Sequence, residues 1–230
     1  MKRKEAVLAA AISLCLMSCE HQMQISNLPK IPFTDTGLSH PVSIGVVNRS
    51  TAGGTEGYVE AVGQGLHMQG NVPKVAYPYL SGHVVDVIVF VDVIPKYRGV
   101  GTNFFVDWPG FLIFTPAWHG YSYHADLLTR VELVSAHDKQ PFGRFQWNHD
   151  YEFHQADTGR SWVEVGWLEW SLIPFIGGFF AIEYDTDQTD PFIRMAGPSY
   201  GNQIATRISQ QLVNYKASKP EAQRTAPGGN

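Results

Sequence analysis

The sequence predicts an α+β domain: a mainly antiparallel sheet with one long hairpin and two helices packed on one face. Three observations predict it. Two stretches, one of fifteen residues and one of eleven, alternate apolar and polar residues with period two and are joined by a turn-like segment. A run of β-branched residues before them reads as a buried strand. Two segments carry apolar residues at helical spacing, one before that strand and one at the end of the chain.

Taken in order, Val42 to Asn48 is a short apolar run closing on a polar turn, as a first strand does. Thr55 stands where a helix cap belongs, and Glu56 to Gln69 places Tyr58, Val62 and Leu66 on one face before Gly70. Gly57, Gly63 and Gly65 weaken that helix by up to about 1 kcal/mol each, and allow close packing on a neighbour. Val84 to Ile94 is a strand of central character, with Asp86 and Asp92 on one side but about 20 Å apart, too far to act as a carboxylate pair.

From Tyr121 to Ser135 the odd positions Tyr121, Tyr123, Ala125, Leu127, Val131 and Leu133 are apolar, and Ser122, His124, Asp126, Arg130 and Glu132 are polar. From Gly143 to Phe153 the alternation repeats, with Phe145, Trp147, His149, Tyr151 and Phe153 against Arg144, Gln146, Asn148, Asp150 and Glu152. Ala136 to Pro141 supplies the turn. The polar face of this hairpin is expected to meet water. A last helix begins at Ser199 or Asn202, with Ile204, Ile208, Leu212 and Tyr215 in one stripe.

The first twenty residues have the three zones of an export signal. Lys2, Arg3 and Lys4 are basic. Ala6 to Leu16 is apolar, too short for a bilayer core that needs about 20 residues. Leu16-Met17-Ser18-Cys19 closes the run and resembles the bacterial lipobox. That resemblance implies a diacylglyceryl group on the Cys19 thiol, cleavage before Cys19, and acylation of the new amine by a chain such as palmitate. Glu20 stands where Asp would retain an enteric lipoprotein in the inner membrane. The same resemblance therefore implies the outer membrane, facing the periplasm.

The expected organisation is a signal peptide over 1–18, a tether over 19–40 rich in proline, one α+β domain over 41–215, and a disordered tail over 216–230. Cys15 and Cys19 both belong to the signal region, so the exported chain has no disulfide, cysteine metal site or thiol nucleophile. A formal net charge of −4 gives no nucleic-acid footprint, and 13% aromatic against 17% charged residues describes a core-rich chain.

The element order is similar to the compact β-α-β-β modules of periplasmic assembly lipoproteins, of the curli-secretion and Pel exopolysaccharide-export kind. That likeness implies an envelope protein partner or self-assembly, beside attachment to the membrane through the lipid anchor.

Two apolar segments stand outside the regular pattern: Phe104 to Trp118 and Trp167 to Ile182. Pro109, Gly110 and Pro116 forbid a continuous helix in the first. Either segment covers the sheet as core, or exposes aromatic rings to a partner, or dips into the bilayer. Trp108, Phe111, Phe114 and Trp118, then Trp167, Trp170 and Phe175, are the candidate contact residues.

A lipid- or glycan-binding pocket lined by the same aromatic residues is the alternative function. No catalytic residue is expected: GxSxG, P-loop and HExxH patterns are absent. The one metal option, His124 facing Asp150, Glu152 or His154 across the hairpin, is set below a solvated polar face. No metal and no cofactor beyond the covalent lipid is therefore expected.

Overall fold

The computed structural model describes residues 23–28, 41–70, 72–107, 110, 115, 119–156 and 183–218. Its strands are β1 (Gln24–Ile25), β2 (Ser43–Asn48), β3 (Lys74–Ala76), β4 (Val87–Gly99), β5 (Tyr121–Ser135) and β6 (Pro141–Gln155). The helices are α1 (Glu56–His67), the short α2 (Asn103–Asp107) and α3 (Thr189–Ser218), the last preceded by a 3-10 turn at Thr186–Gln188. The strands form one six-stranded sheet in the order β1-β6-β5-β4-β2-β3.

The fold class is α+β, but the sheet is mixed where a mainly antiparallel one is expected. β2 runs parallel to both β3 and β4, in registers Ile44↔Val75 and Ile44↔Val87. The cause lies in α1: a helix inserted between β2 and β3 carries the chain back to the starting end, so the next strand enters in the same direction. The hairpin is as long as the alternation predicts, and two residues longer at each end of its second strand.

The residues fall into two compact units, to which β4, β5 and β6 each contribute one part. In residues 28–95, 127–149 and 192–230, the odd positions of β4 and β5 are buried on the side where the helices lie. Val89, Val91, Val93, Leu127, Val131 and Leu133 pack there with Ile44 and Val46, Leu66 of α1, and Phe192, Ile204 and Ile208 of α3. Each such side chain contributes about 1.5–3 kcal/mol by leaving water. The Tyr200 hydroxyl bonds Thr129 Oγ1 at 2.7 Å, tying α3 to β5, and its ring meets Tyr58 of α1 edge-on. Burial pushes the Tyr200 hydroxyl pKa up, opposed by that hydrogen bond.

On the other side of β4, Ile88 joins Ala76 and Val85 in a smaller apolar cluster with Val47, Tyr79 and Phe90. Both faces of β4 are therefore covered along its first half, as its apolar run implies. Its start is Val87 where Val84 is expected, because Asp86 turns aside to bond Ser43 through both N–H and Oγ. Its end runs on through Pro95. That is permitted because β2 pairs only with Val87 to Val91, leaving Pro95 without a ladder partner on that side.

α3 corrects the sequence reading most. It begins ten residues before Ser199 and passes through Pro198 without ending. A mid-helix proline costs about 3 kcal/mol. The buried series Phe192, Ala196, Tyr200, Ile204, Ile208 and Leu212 continues across the proline and holds the helix together. Small residues set its distance from α1: a methyl on Gly201 would run into the Ala61 carbonyl, and one on Gly65 would sit 2.5 Å from the Gly201 carbonyl oxygen. At the start of α1, Thr55 sits in the cap position but its hydroxyl donates to Ala52 O, so the predicted side-chain cap is not made.

Residues 23–27, 96–126 and 150–191 form the other unit. Tyr123 and Phe153 are buried side by side, with Tyr184 edge-on to both and stacked on Tyr97. β1 belongs here: Gln24 and Ile25 pair antiparallel with His154 and Phe153, inside the stretch read as tether.

Gly201→Ala is expected to lower stability by about 1–3 kcal/mol through overpacking, read from urea unfolding. Gly53→Ala, where a methyl meets nothing, is expected to stay within about 0.5 kcal/mol of the parent.

Candidate functional site

The even positions of the hairpin, with those of β4, carry two polar clusters, one in each unit. In residues 96–126 and 150–191, Arg98, His124, Asp126 and Asp150 face one another across β4, β5 and β6. Arg98 approaches Asp126 at 3.9 Å, and His124 Nδ1 lies 3.7 Å from Asp150 Oδ1. Asp126 faces the Asp150 carboxyl, which favours the protonated form of Asp126. Burial raises the Asp126 pKa first, then the bond to Asp150 and its charge, with Arg98 and His124 pulling it down. His124 meets Asp150 as the alternation predicts. The Asp126–Asp150 pair is not in that prediction, because two like charges opposite each other run against ordinary cross-strand preference.

Beside this cluster Ser122 Oγ lies 2.8 Å from His154 Nδ1, and His154 Nε2 lies 3.9 Å from Glu152. A serine, a histidine and a carboxylate in that order suggest a nucleophile, yet the geometry is that of a cross-strand polar contact. At 3.9 Å the carboxylate is beyond hydrogen-bond range of the ring. The Ser122 N–H is already taken by Asn103 Oδ1 at 2.8 Å, so it is not available as an oxyanion donor. Asn103 also donates to Ser122 O at 2.9 Å, and Tyr121 donates to Asp107 at 3.0 Å, so both ends of α2 are fastened to the start of β5.

In the other unit the charges are complementary. Glu132 accepts from Arg49 at 2.7 Å and from Arg144, and Asp92 lies 3.7 Å from Arg130. The Arg49 guanidinium also sits 3.6 Å over the Phe90 ring. These residues line a groove of about 350 Å³. The Arg144 bond leads in holding the Glu132 pKa below the usual carboxylate range, against burial and with help from Arg49. A second groove of about 460 Å³, on α1 and β3, is lined by Glu60, Gln64, His67, Met68 and Tyr77 among others.

Among the described residues, no group of three or more His, Cys, Asp or Glu side chains is arranged to hold a metal ion. No described helix is long and apolar enough to cross a membrane. Cys19, Trp108, Phe111, Phe114, Trp118, Trp167, Trp170 and Phe175 all lie outside the described residues. Of the first apolar segment, Phe104 to Asp107, Gly110 and Thr115 are described. Val106 and Asp107 are buried there, and Phe105 is 67% exposed.

No protein-family model matches the chain, and no curated protein matches its sequence. Several solved structures align with parts of the chain at low TM-scores. A Caulobacter crescentus CB15 protein provisionally assigned as a lipoprotein aligns over 76% of this chain and 92% of its own, at 12% identity and a TM-score of 0.36. A DUF330-family protein from Xanthomonas campestris aligns over 82% and 95%, at 11% identity and 0.39. A PelC dodecamer from Paraburkholderia phytofirmans aligns over 63% and 88%, at 10% identity and 0.26.

The two carboxylates with shifted pKa values give opposite pH signatures. Asp126 is raised, so its contribution is present at low pH and lost as pH rises through its folded value. Asp126→Asn is therefore expected to be more stable than the parent at pH 7 and equal to it near about pH 3. Glu132 is lowered, so its contribution is present above about pH 4 and lost on acidification. Glu132→Gln is expected to cost about 1 kcal/mol at neutral pH, with the deficit closing in acid. Thermal melts across pH check both.

Proposed function

We propose that the chain is a membrane-anchored lipoprotein of the bacterial cell envelope, attached through lipid on Cys19 and acting by binding or assembly. The observation that carries this is Leu16-Met17-Ser18-Cys19, set directly after a basic start and an apolar run. With the signal removed, Cys19 is the only thiol of the chain. One acyl chain holds a protein only marginally, and two or three hold it durably.

On this reading Glu20 directs the protein to the outer membrane, facing the periplasm. Trp108, Phe111, Phe114 and Trp118, with Trp167, Trp170 and Phe175, form the contact surface. Rings of this type supply much contact area for little conformational entropy, which suits them to carry binding energy.

Two measurements test the reading. In cells fed an alkyne fatty acid, the parent is expected to take up label and float with membranes, and Cys19→Ala to do neither. An unmodified amino terminus at any other cleavage point sinks the anchor. In intact cells, Trp108→Ala with Phe111→Ala is expected to lose its cross-linked adducts while the melting temperature is unchanged. A cooperative loss of folding would instead assign both rings to the core.

A further inference from the structure

We infer that the end of the sheet at which β1 begins faces the bilayer, and that Phe105 seats in the interfacial zone of the leaflet that holds the Cys19 lipid. The inference rests on the lipid-anchor reading and adds an orientation and a contact to it.

The chain is fixed to the sheet almost as soon as it leaves the anchor. Met23 is buried, and Gln24 and Ile25 pair with His154 and Phe153. Ser26 N–H donates to Glu152 O at 2.9 Å, and the Asn27 side chain bonds the backbone of Asp150 and Glu152. Only four residue steps separate Cys19 from Met23. At about 3.3–3.6 Å per step, that leash spans at most about 14 Å. A tether of twenty-odd residues would leave the domain free to tumble above the lipid; this one holds one end of it down.

The end it holds follows from the strand directions. β1 is antiparallel to β6, so Met23 lies toward the last residues of β6. There Gly120, at φ +76, packs against Gln155 and Ala156 with no room for a Cβ, and starts β5. β4 leaves at the same end, where Val100 N–H donates to Ser122 O at 3.2 Å. α2 follows at once. Its polar residues point inward: Asn103 is buried on Ser122 and Asp107 is buried under the Tyr121 hydroxyl. Fastened at both ends, the turn presents Phe105 outward, two-thirds exposed, with the Phe104 ring edge-on beside it.

From Gly99 to Asp107 the only charged residue is that buried Asp107. A rigid, uncharged turn with an outward phenyl ring, within a short leash of acyl chains, is matched to the headgroup–acyl boundary. The leash keeps its effective concentration at the membrane high, so a weak insertion suffices to orient the protein.

The test uses the full-length lipidated protein in vesicles of phosphatidylethanolamine and phosphatidylglycerol. Because Cys19 is blocked by its lipid, Phe105→Cys supplies the single free thiol and takes an environment-sensitive fluorophore. Lipids spin-labelled near the headgroup are expected to quench this probe several-fold more strongly than they quench the same probe on unlipidated protein carrying both Cys15→Ala and Cys19→Ala, added to the vesicles. A Gly/Ser spacer of about 20 residues inserted between Glu20 and Met23 is expected to preserve flotation and lose most of the quenching. A probe that stays in water on protein that floats overturns the membrane-facing end alone. A probe shielded from water yet unquenched also overturns it, by placing protein over Phe105. If the parent does not float, the anchor falls and this inference falls with it.

Discussion

β5 lies between β4 and β6, so its backbone is committed on both sides and its side chains must divide between two faces. No residue along its fifteen can change face without moving every other, since the period is two. The odd positions are therefore mainly apolar and the even ones mainly polar. Tyr123, Leu127 and Leu133 are buried, whereas His124, Asp126, Arg130 and Glu132 are left on the polar side. Thr129 is the exception that serves a purpose: a hydroxyl at a buried odd position binds Tyr200 and holds α3 in place. An unpaired hydroxyl there would cost about 1–3 kcal/mol.

The same division explains what the sequence could and could not disclose. The hairpin is legible because both strands obey period two over most of their length, and β4 because β-branched residues run through it. β3 is not legible, since Lys74-Val75-Ala76 is too short to show any period, and with it goes the parallel pairing that makes the sheet mixed. β1 is hidden in the same way: two residues, Gln24 and Ile25, gain their strand only from the long partner β6. The start of α3 is masked by Gly197 and Pro198, which locally argue for a break. Tertiary burial of Phe192, Ala196 and Tyr200 overrides them.

At the candidate site, cross-strand geometry is more legible than electrostatics. Alternation alone places His124 opposite the acidic residues of β6, and it meets Asp150. It says nothing of whether facing groups attract or repel, and in this fold they do both. Glu132 sits among arginines, while Asp126 faces the like charge of Asp150, which raises its pKa. Ser122 and His154 come together only because β5 and β6 are in register, more than thirty positions apart in the chain. No local motif could announce that. The aromatic residues singled out by composition lie outside the described part of the chain, so their weight rests on chemistry alone.

Charge narrows how such a protein can hold to a membrane. The chain is already negative at −4, and on the lipoprotein reading cleavage before Cys19 would remove Lys2, Arg3 and Lys4 with only Glu5 in compensation. What is left is more acidic still, and an anionic leaflet would repel it. A polybasic contact, the usual partner of a single lipid chain, is therefore not favoured by this net charge. Attachment on the lipoprotein reading has to come from several acyl chains and from uncharged contact. A described surface near the leash without exposed charge is the turn that carries Phe105. Burying Asn103 and Asp107 against β5 fastens that turn and leaves it without exposed charge, so on the same reading polar groups hidden from the lipid would serve the anchoring.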